Sequence, residues 1–242
     1  MSMPVARRAA VASAAPALLA HELYRFYRAG DEETLALRGI SLSVRAGELV
    51  VVSGPSGSGK STLLSLLAGL DEPDGGHVLI AGERMSHRPE GRRTLLRRRL
   101  VGILRQTGNL VDHLTIQQNV DLVQRLRGRK ERGLVPAAAL LDRVDIRHRA
   151  RALPSELSGG ELARAGLAVA LAAEPAVVIA DEPTGELDLA NERRVLGLLR
   201  AAAGEGAAIV VASHSAEVAR GADRVLRISD GRWVADSPQA TA

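Results

Sequence analysis

The 242-residue chain is 46% hydrophobic, 25% charged and only 2% aromatic, with no cysteine and a formal net charge of +4. This is the profile of one or two globular domains in a reducing compartment, by default the cytoplasm. It excludes a fibrous repeat, a disulfide-stapled scaffold, a thiolate metal site and a cysteine nucleophile. Arginine carries the positive balance, since only Lys60 and Lys130 are lysines, and no nucleic-acid partner is expected from a bias of that kind.

Residues 1–20 read as a flexible N-terminal tail. Their apolar stretch contains Pro16 and falls short of the roughly 20 residues that cross a bilayer core. From 35 to 52 the pattern reads as two strands, LALRGISLSV and GELVVVSG, joined by a polar turn at Arg45, Ala46 and Gly47. A glycine-rich segment follows at once and leads into STLLSLLAGL, whose leucines suit a helix packed on a sheet. The short strand HVLIAG comes next, then an arginine-crowded helix over 92–99 that reads as a solvated face. Over 114–144 apolar residues recur at spacings of three and four, interrupted by Gly128, Gly133 and Pro136, which predicts a helical insertion. A second α/β stretch starts near Pro154, with helices over 161–173 and 191–203 and apolar strands at 176–181 and 207–213. Continuous apolar strands between helices imply a parallel sheet covered on both faces. Residues 236–242 read as a C-terminal tail.

The chemistry begins at Gly54-Pro55-Ser56-Gly57-Ser58-Gly59-Lys60-Ser61-Thr62. A phosphate loop needs glycines so that backbone N–H groups can turn inward around oxygens, a helix N-terminus behind them, and a cation that reaches the terminal phosphates. Gly54, Gly57, Gly59 and Lys60 supply these, and Ser61 places a hydroxyl where a phosphate-bound Mg²⁺ needs a ligand. Downstream, Ser158, Gly159 and Gly160 open a helix and offer a second array of N–H donors to an anion. The strand ending in Asp181 and Glu182 puts two carboxylates at a strand C-terminus, where open α/β sheets place their ligands. Adjacent carboxylates on an extended chain face opposite ways, so Asp181 suits the Mg²⁺ shell and Glu182 the attacking water.

In this order the motifs resemble the nucleotide-binding subunit of an ATP-binding-cassette transporter. GPSGSGKST is similar to the Walker A loop, LSGGE to the family signature, VVIADEP to the Walker B strand, TGELD to the D-loop and ASHS to the switch-histidine segment, while Gln106 stands where that family has its glutamine. The likeness covers nearly the whole chain, about residues 23–233. It implies a P-loop NTPase core in the α/β class, 21–235, with a mostly parallel sheet, an antiparallel β subdomain, and a helical subdomain over about 88–165 that carries the signature. It further implies ATP and Mg²⁺ as cofactors. Lys60 and the loop would hold the phosphates, Ser61, Gln106 and Asp181 the metal, Glu182 the water and His214 the γ-phosphate. Tyr27 would stack on adenine, with Tyr24 or Phe26 as alternatives. Ser158, Gly159, Gly160 and Asp188 would serve the site of a second copy, so that a homodimer closes on two ATP. The implied partner is a transmembrane permease, which would hold the subunit at the inner face of the cell membrane.

Among such proteins, DEPTGELD, LPSELSGGE and YRAGDEETLALRGISL resemble the lipoprotein-releasing and macrolide-export type. Two departures stand out: Arg105 replaces the aromatic common before the glutamine, and Leu162-Ala163 replaces the usual pair of glutamines. An ATPase that docks on a membrane protein for cell division is the alternative. DNA-repair cassettes of the zinc-binding kind need cysteines, and a small-molecule kinase leaves LSGGE and His214 without work.

Overall fold

The computed structural model describes residues 15–29, 32–127 and 134–234. Most of the N-terminal tail, the glycines at 128 and 133 and the C-terminal tail lie outside these. Among the described residues ten strands form two sheets. The first is antiparallel, in the order β2-β1-β4-β5, built from β1 (Leu18–Ala29), β2 (Glu32–Val44), β4 (Gly75–Ile80) and β5 (Glu83–Arg84). The second runs β10-β9-β3-β8-β7-β6, from β3 (Leu49–Ser53), β6 (Val101–Arg105), β7 (Val177–Asp181), β8 (Ala208–Ala212), β9 (Arg224–Ser229) and β10 (Arg232–Trp233). All its neighbouring pairs are parallel except β9 with β10. The two strands foreseen over 35–52 both exist, but β2 belongs to one sheet and β3 to the other.

Side-chain alternation along β3 shows how the core is divided. Val50 and Val52 join a cluster with Leu63, Leu64, Leu66 and Leu67 of α1 (Lys60–Leu67), roofed by Leu18, Leu37 and Ile80 of the antiparallel sheet. Leu49 and Val51 point the other way, into a cluster with α5 (Gly159–Leu171) and α6 (Leu189–Gly204). Successive side chains of a strand face opposite sides, so an unbroken apolar run is what a sheet covered on both faces requires.

The remaining helices are α2 (Glu90–Leu100), α3 (Ile116–Arg127), α4 (Ala137–Arg143) and α7 (Ala216–Arg220). Two boundaries differ from expectation. The strand β1 begins at Leu18, inside the stretch read as tail, because Leu18, Ala20 and Leu23 bury completely against the core. The strand β6 lies within 88–165 yet is the edge of the large sheet, paired with β7, so the helical insertion proper starts after it. Among the described residues no helix is long and apolar enough to cross a membrane.

Candidate functional site

Sheet register assembles the site. Arg105 of β6 lies opposite Asp181 of β7, Asp181 opposite Ala212 of β8, and Ala212 opposite Val52 of β3. The residues that follow, Gln106, Glu182, Ser213 and Ser53, therefore emerge side by side at the C-terminal edge of one parallel sheet, with Gly54 one step beyond. Backbone bonds extend the alignment one step further: Glu182 N donates to Ala212 O (3.0 Å) and Ser213 N to Val52 O (3.1 Å).

Gly54 turns the chain where no side chain fits, since a Cβ there would lie 2.2 Å from Ile228 O. The loop then folds over the edge to Gly59, a left-handed N-cap of α1 with φ 104°, which leaves the helix's first N–H groups facing outward. Lys60 Nζ donates to Gly54 O (2.8 Å) and Pro55 O (2.9 Å), so the ammonium is held inside the loop by carbonyls that an anion would replace. Ser58 is 3% exposed and its hydroxyl lacks a hydrogen-bond partner; its side chain lies beneath the loop rather than on the cleft.

The resulting cleft has a volume of about 780 Å³, large enough for a nucleotide-sized ligand. Tyr27, Gly54 to Gly57, Gly59 to Thr62, Gln106, Asp181, Glu182 and His214 all line it. Tyr27 is fixed by its hydroxyl donating to Asp71 Oδ2 (3.2 Å) and by the Arg25 guanidinium 4.9 Å from its ring centroid. Neither Tyr24 nor Phe26 lines the cleft; Tyr24 lies over Gly39 and Gly75.

Glu182 departs from the extended geometry expected of it. The strand stops at Asp181, and Glu182 takes φ 45°, a left-handed conformation uncommon for a residue with a side chain. His214 Nδ1 stands 3.1 Å from both carboxylate oxygens and makes its hydrogen bond to Oε1. A carboxylate only accepts, so the ring carries its proton on Nδ1. Oε2 is buried without a hydrogen-bond partner.

Besides Ser58, four expected residues do not line this cleft. Ser158 N-caps α5: Glu161 N donates to its hydroxyl (3.4 Å), and Ser158 N donates back to Glu161 Oε2 (2.8 Å), a reciprocal capping box. These bonds from Ser158 hold the Glu161 carboxyl below the usual range. Gly159 lines a neighbouring hollow of about 490 Å³ together with Leu162 and Ala163, and Gly160 packs on Asn191. Asp188 N-caps α6 by accepting from Asn191 N (2.8 Å), which lowers its pKa. The cap explains the helix start, and Asp188 is not among the residues that line the cleft. Arg105 is exposed, and its backbone is clipped on both sides by Asn109.

The structure also adds residues that sequence reasoning missed. Thr34, Ala36 and Arg38 of β2, with Asp230 and Gly231 of the β9–β10 turn, complete the cleft wall. Arg38 N donates to Gly231 O (2.8 Å), a contact between segments almost 200 residues apart that no local pattern announces.

A parallel sheet, a glycine-rich loop feeding a helix after β3, and two acids at the end of β7, with β8 between the two strands, define a P-loop ATPase fold. A family model described as ABC transporter matches residues 37–185, and the chain belongs to that family. It is 43% identical over 225 residues to the lipoprotein-releasing system ATP-binding protein LolD of Ruegeria pomeroyi, covering 92% of this chain and 99% of that one. It is 38% identical to the macrolide export ATP-binding/permease protein MacB of Escherichia coli K12, over 92% of this chain. The chain spans only 35% of the length of that relative. Its fold matches the dimeric post-hydrolysis structure of the ATP-binding cassette MJ0796, bound to ADP and Pi, with a TM-score of 0.82 and 31% identity over 93% of this chain and 99% of that one.

Proposed function

We propose that this chain is the ATP-hydrolysing subunit of a transporter, that two copies close head to tail around two ATP, and that the closure drives a transmembrane permease. One observation carries the reading: the cleft holds the loop, Asp181, Glu182 and His214, while Ser158 and Gly160 stand outside it. One chain thus presents half of a phosphate site at each of two places, which two copies related by rotation would complete.

The residues fit the groups the fold implies. The loop is built on a glycine whose Cβ has no room. Ser61, Gln106 and Asp181 offer a hydroxyl, an amide oxygen and a carboxylate, the hard donors that suit Mg²⁺ carried on phosphates. When bound, the ion would neutralise charge on the transferring phosphoryl group. Lys60 would exchange its two loop carbonyls for phosphate oxygens. Glu182, whose carboxylate lies 3.1 Å from His214 Nδ1, would take the proton of the attacking water, with His214 steadying the carboxylate. The first N–H groups of α5 in the second copy would reach the same phosphate from the far side, and a helix N-terminus stabilises a nearby anion by about 0.3–2 kcal/mol. Tyr27 would stack on the base. Because a permease partner implies a peripheral position, the chain would sit at the inner face of the membrane and act in lipoprotein, peptide or drug extrusion; the relatives named for lipoprotein release and macrolide export support the first and the last of these.

Glu182→Gln tests this. It should keep ATP affinity, lower turnover by about 10²–10³ and raise the fraction of dimer seen by light scattering with ATP. Hydrolysis at the parental rate would remove Glu182 from the mechanism, and a strictly monomeric variant saturated with ATP would remove the sandwich.

A further inference from the structure

Gln106, with Glu182 and Gly185, lies between two spaces. On one side is the cleft that holds Ser61 and Asp181; on the other is the smaller hollow that holds Glu186, and all three residues line both. Gln106 Nε2 donates to Glu186 Oε1 at 3.1 Å. The two residues come from different segments, the turn after β6 and the turn between β7 and α6, 80 positions apart in the chain.

A glutamine amide is nearly symmetrical in shape but not in chemistry. Its nitrogen only donates, its oxygen only accepts, and an isolated amide can turn either end toward a neighbour. A carboxylate accepts and cannot donate. Glu186 therefore admits one orientation, with Nε2 toward the hollow and Oε1 left for the other side, where a cation needs an oxygen. Removing a partner of this kind from behind a metal ligand costs about 10–100-fold in metal affinity.

We propose that Glu186 is a positioning residue for the divalent cation: it takes the Gln106 N–H and so presents the Gln106 amide oxygen to the metal. The inference rests on the reading above in which Gln106 is a cation ligand. It assigns to the residue after Gly185 a task that neither the phosphate loop nor the strand-end acids perform. Glu186 is exposed and makes no other side-chain bond among the described residues, so its loss leaves the fold intact.

The test uses Mn²⁺ as a paramagnetic probe, titrated into the whole chain saturated with a non-hydrolysable ATP analogue and read by electron paramagnetic resonance. Four proteins are compared: parent, Glu186→Ala, Gln106→Ala and the double variant. Glu186→Ala should weaken Mn²⁺ binding about tenfold, with melting temperature and metal-free nucleotide affinity unchanged. In the Gln106→Ala background the same substitution should have no further effect, because Glu186 acts through the amide. An equal loss in both backgrounds would show a bare charge effect and overturn the proposal, as would parental Mn²⁺ affinity in Glu186→Ala. Parental affinity in Gln106→Ala would instead remove Gln106 from the metal, and the proposal with it.

Discussion

A Cβ placed on Gly160 would lie 2.3 Å from Asn191 Oδ1, so the signature helix α5 meets α6 at a point where only hydrogen fits. Asn191 has little freedom to yield. Its Oδ1 accepts from Arg164 (3.2 Å), its Nδ2 donates to Asp188 (3.0 Å), and its backbone N donates to the same carboxylate. Arg164 is only 7% exposed, and losing an acceptor there leaves a buried donor poorly satisfied.

Gly160→Ala should therefore destabilise the chain by about 1–3 kcal/mol, the usual cost of forcing a methyl into a packed contact. Asn191→Ala removes the obstructing amide, so Gly160→Ala should cost clearly less in that background. Urea unfolding of the parent, two single variants and the double variant forms a cycle. Strictly additive costs would show that Asn191 is not what excludes the methyl.

What the sequence reveals of this site depends on how far apart the contributing residues are. Lys60, Asp181 and Glu182 could be read directly, because a phosphate loop and a strand-end pair of acids are local patterns with local causes. The strand β1 was only partly legible: it starts within an alanine-rich stretch, and the left-handed Glu22, φ 46°, interrupts its alternation with register shifts against β2. The strand β6 follows α2 with no turn between them, Val101 being both the C-cap of the helix and the first residue of the strand. Arg38, Gly231 and the Glu186 contact stayed hidden because each depends on the pairing of distant segments rather than on spacing.

Acid should weaken the fold through Asp223. Its carboxylate accepts from both Arg200 nitrogens (2.6 and 3.1 Å) and from Leu49 N (2.8 Å) at the start of β3. The Arg200 pairing, then the Leu49 amide, hold its pKa below the usual aspartate value. Glu90, gripped first by Arg97 and also by Thr94, is lowered to about 2. For groups depressed in the folded state, the stabilisation is complete above the unfolded values of about 4 and is lost as pH falls through the folded ones. Asp223→Asn should thus be less stable than the parent at pH 7, and the gap should close as pH drops below about 4. Urea midpoints that differ by the same amount at about pH 7 and pH 2.5 would take Asp223 out of the acid response.

If the site is shared between copies, two inactive chains should repair each other. Lys60→Ala removes the cation of the phosphate loop but leaves the signature helix whole. Ser158→Asp does the reverse: aspartate caps a helix as well as serine does, so α5 stays formed, while its charge opposes a phosphate approaching the helix N-terminus. Each variant alone should hydrolyse ATP at least about 10² more slowly than the parent. Mixed in equal amounts, they form a heterodimer with one intact composite site, the loop of the Ser158→Asp chain facing the signature of the Lys60→Ala chain. Turnover measured in the mixture should then exceed that of either chain alone, up to about a quarter of the parental rate, since half the dimers are mixed and each carries one working site of two. A mixture no faster than the mean of its parts would mean that Ser158 serves the phosphate loop of its own chain or none.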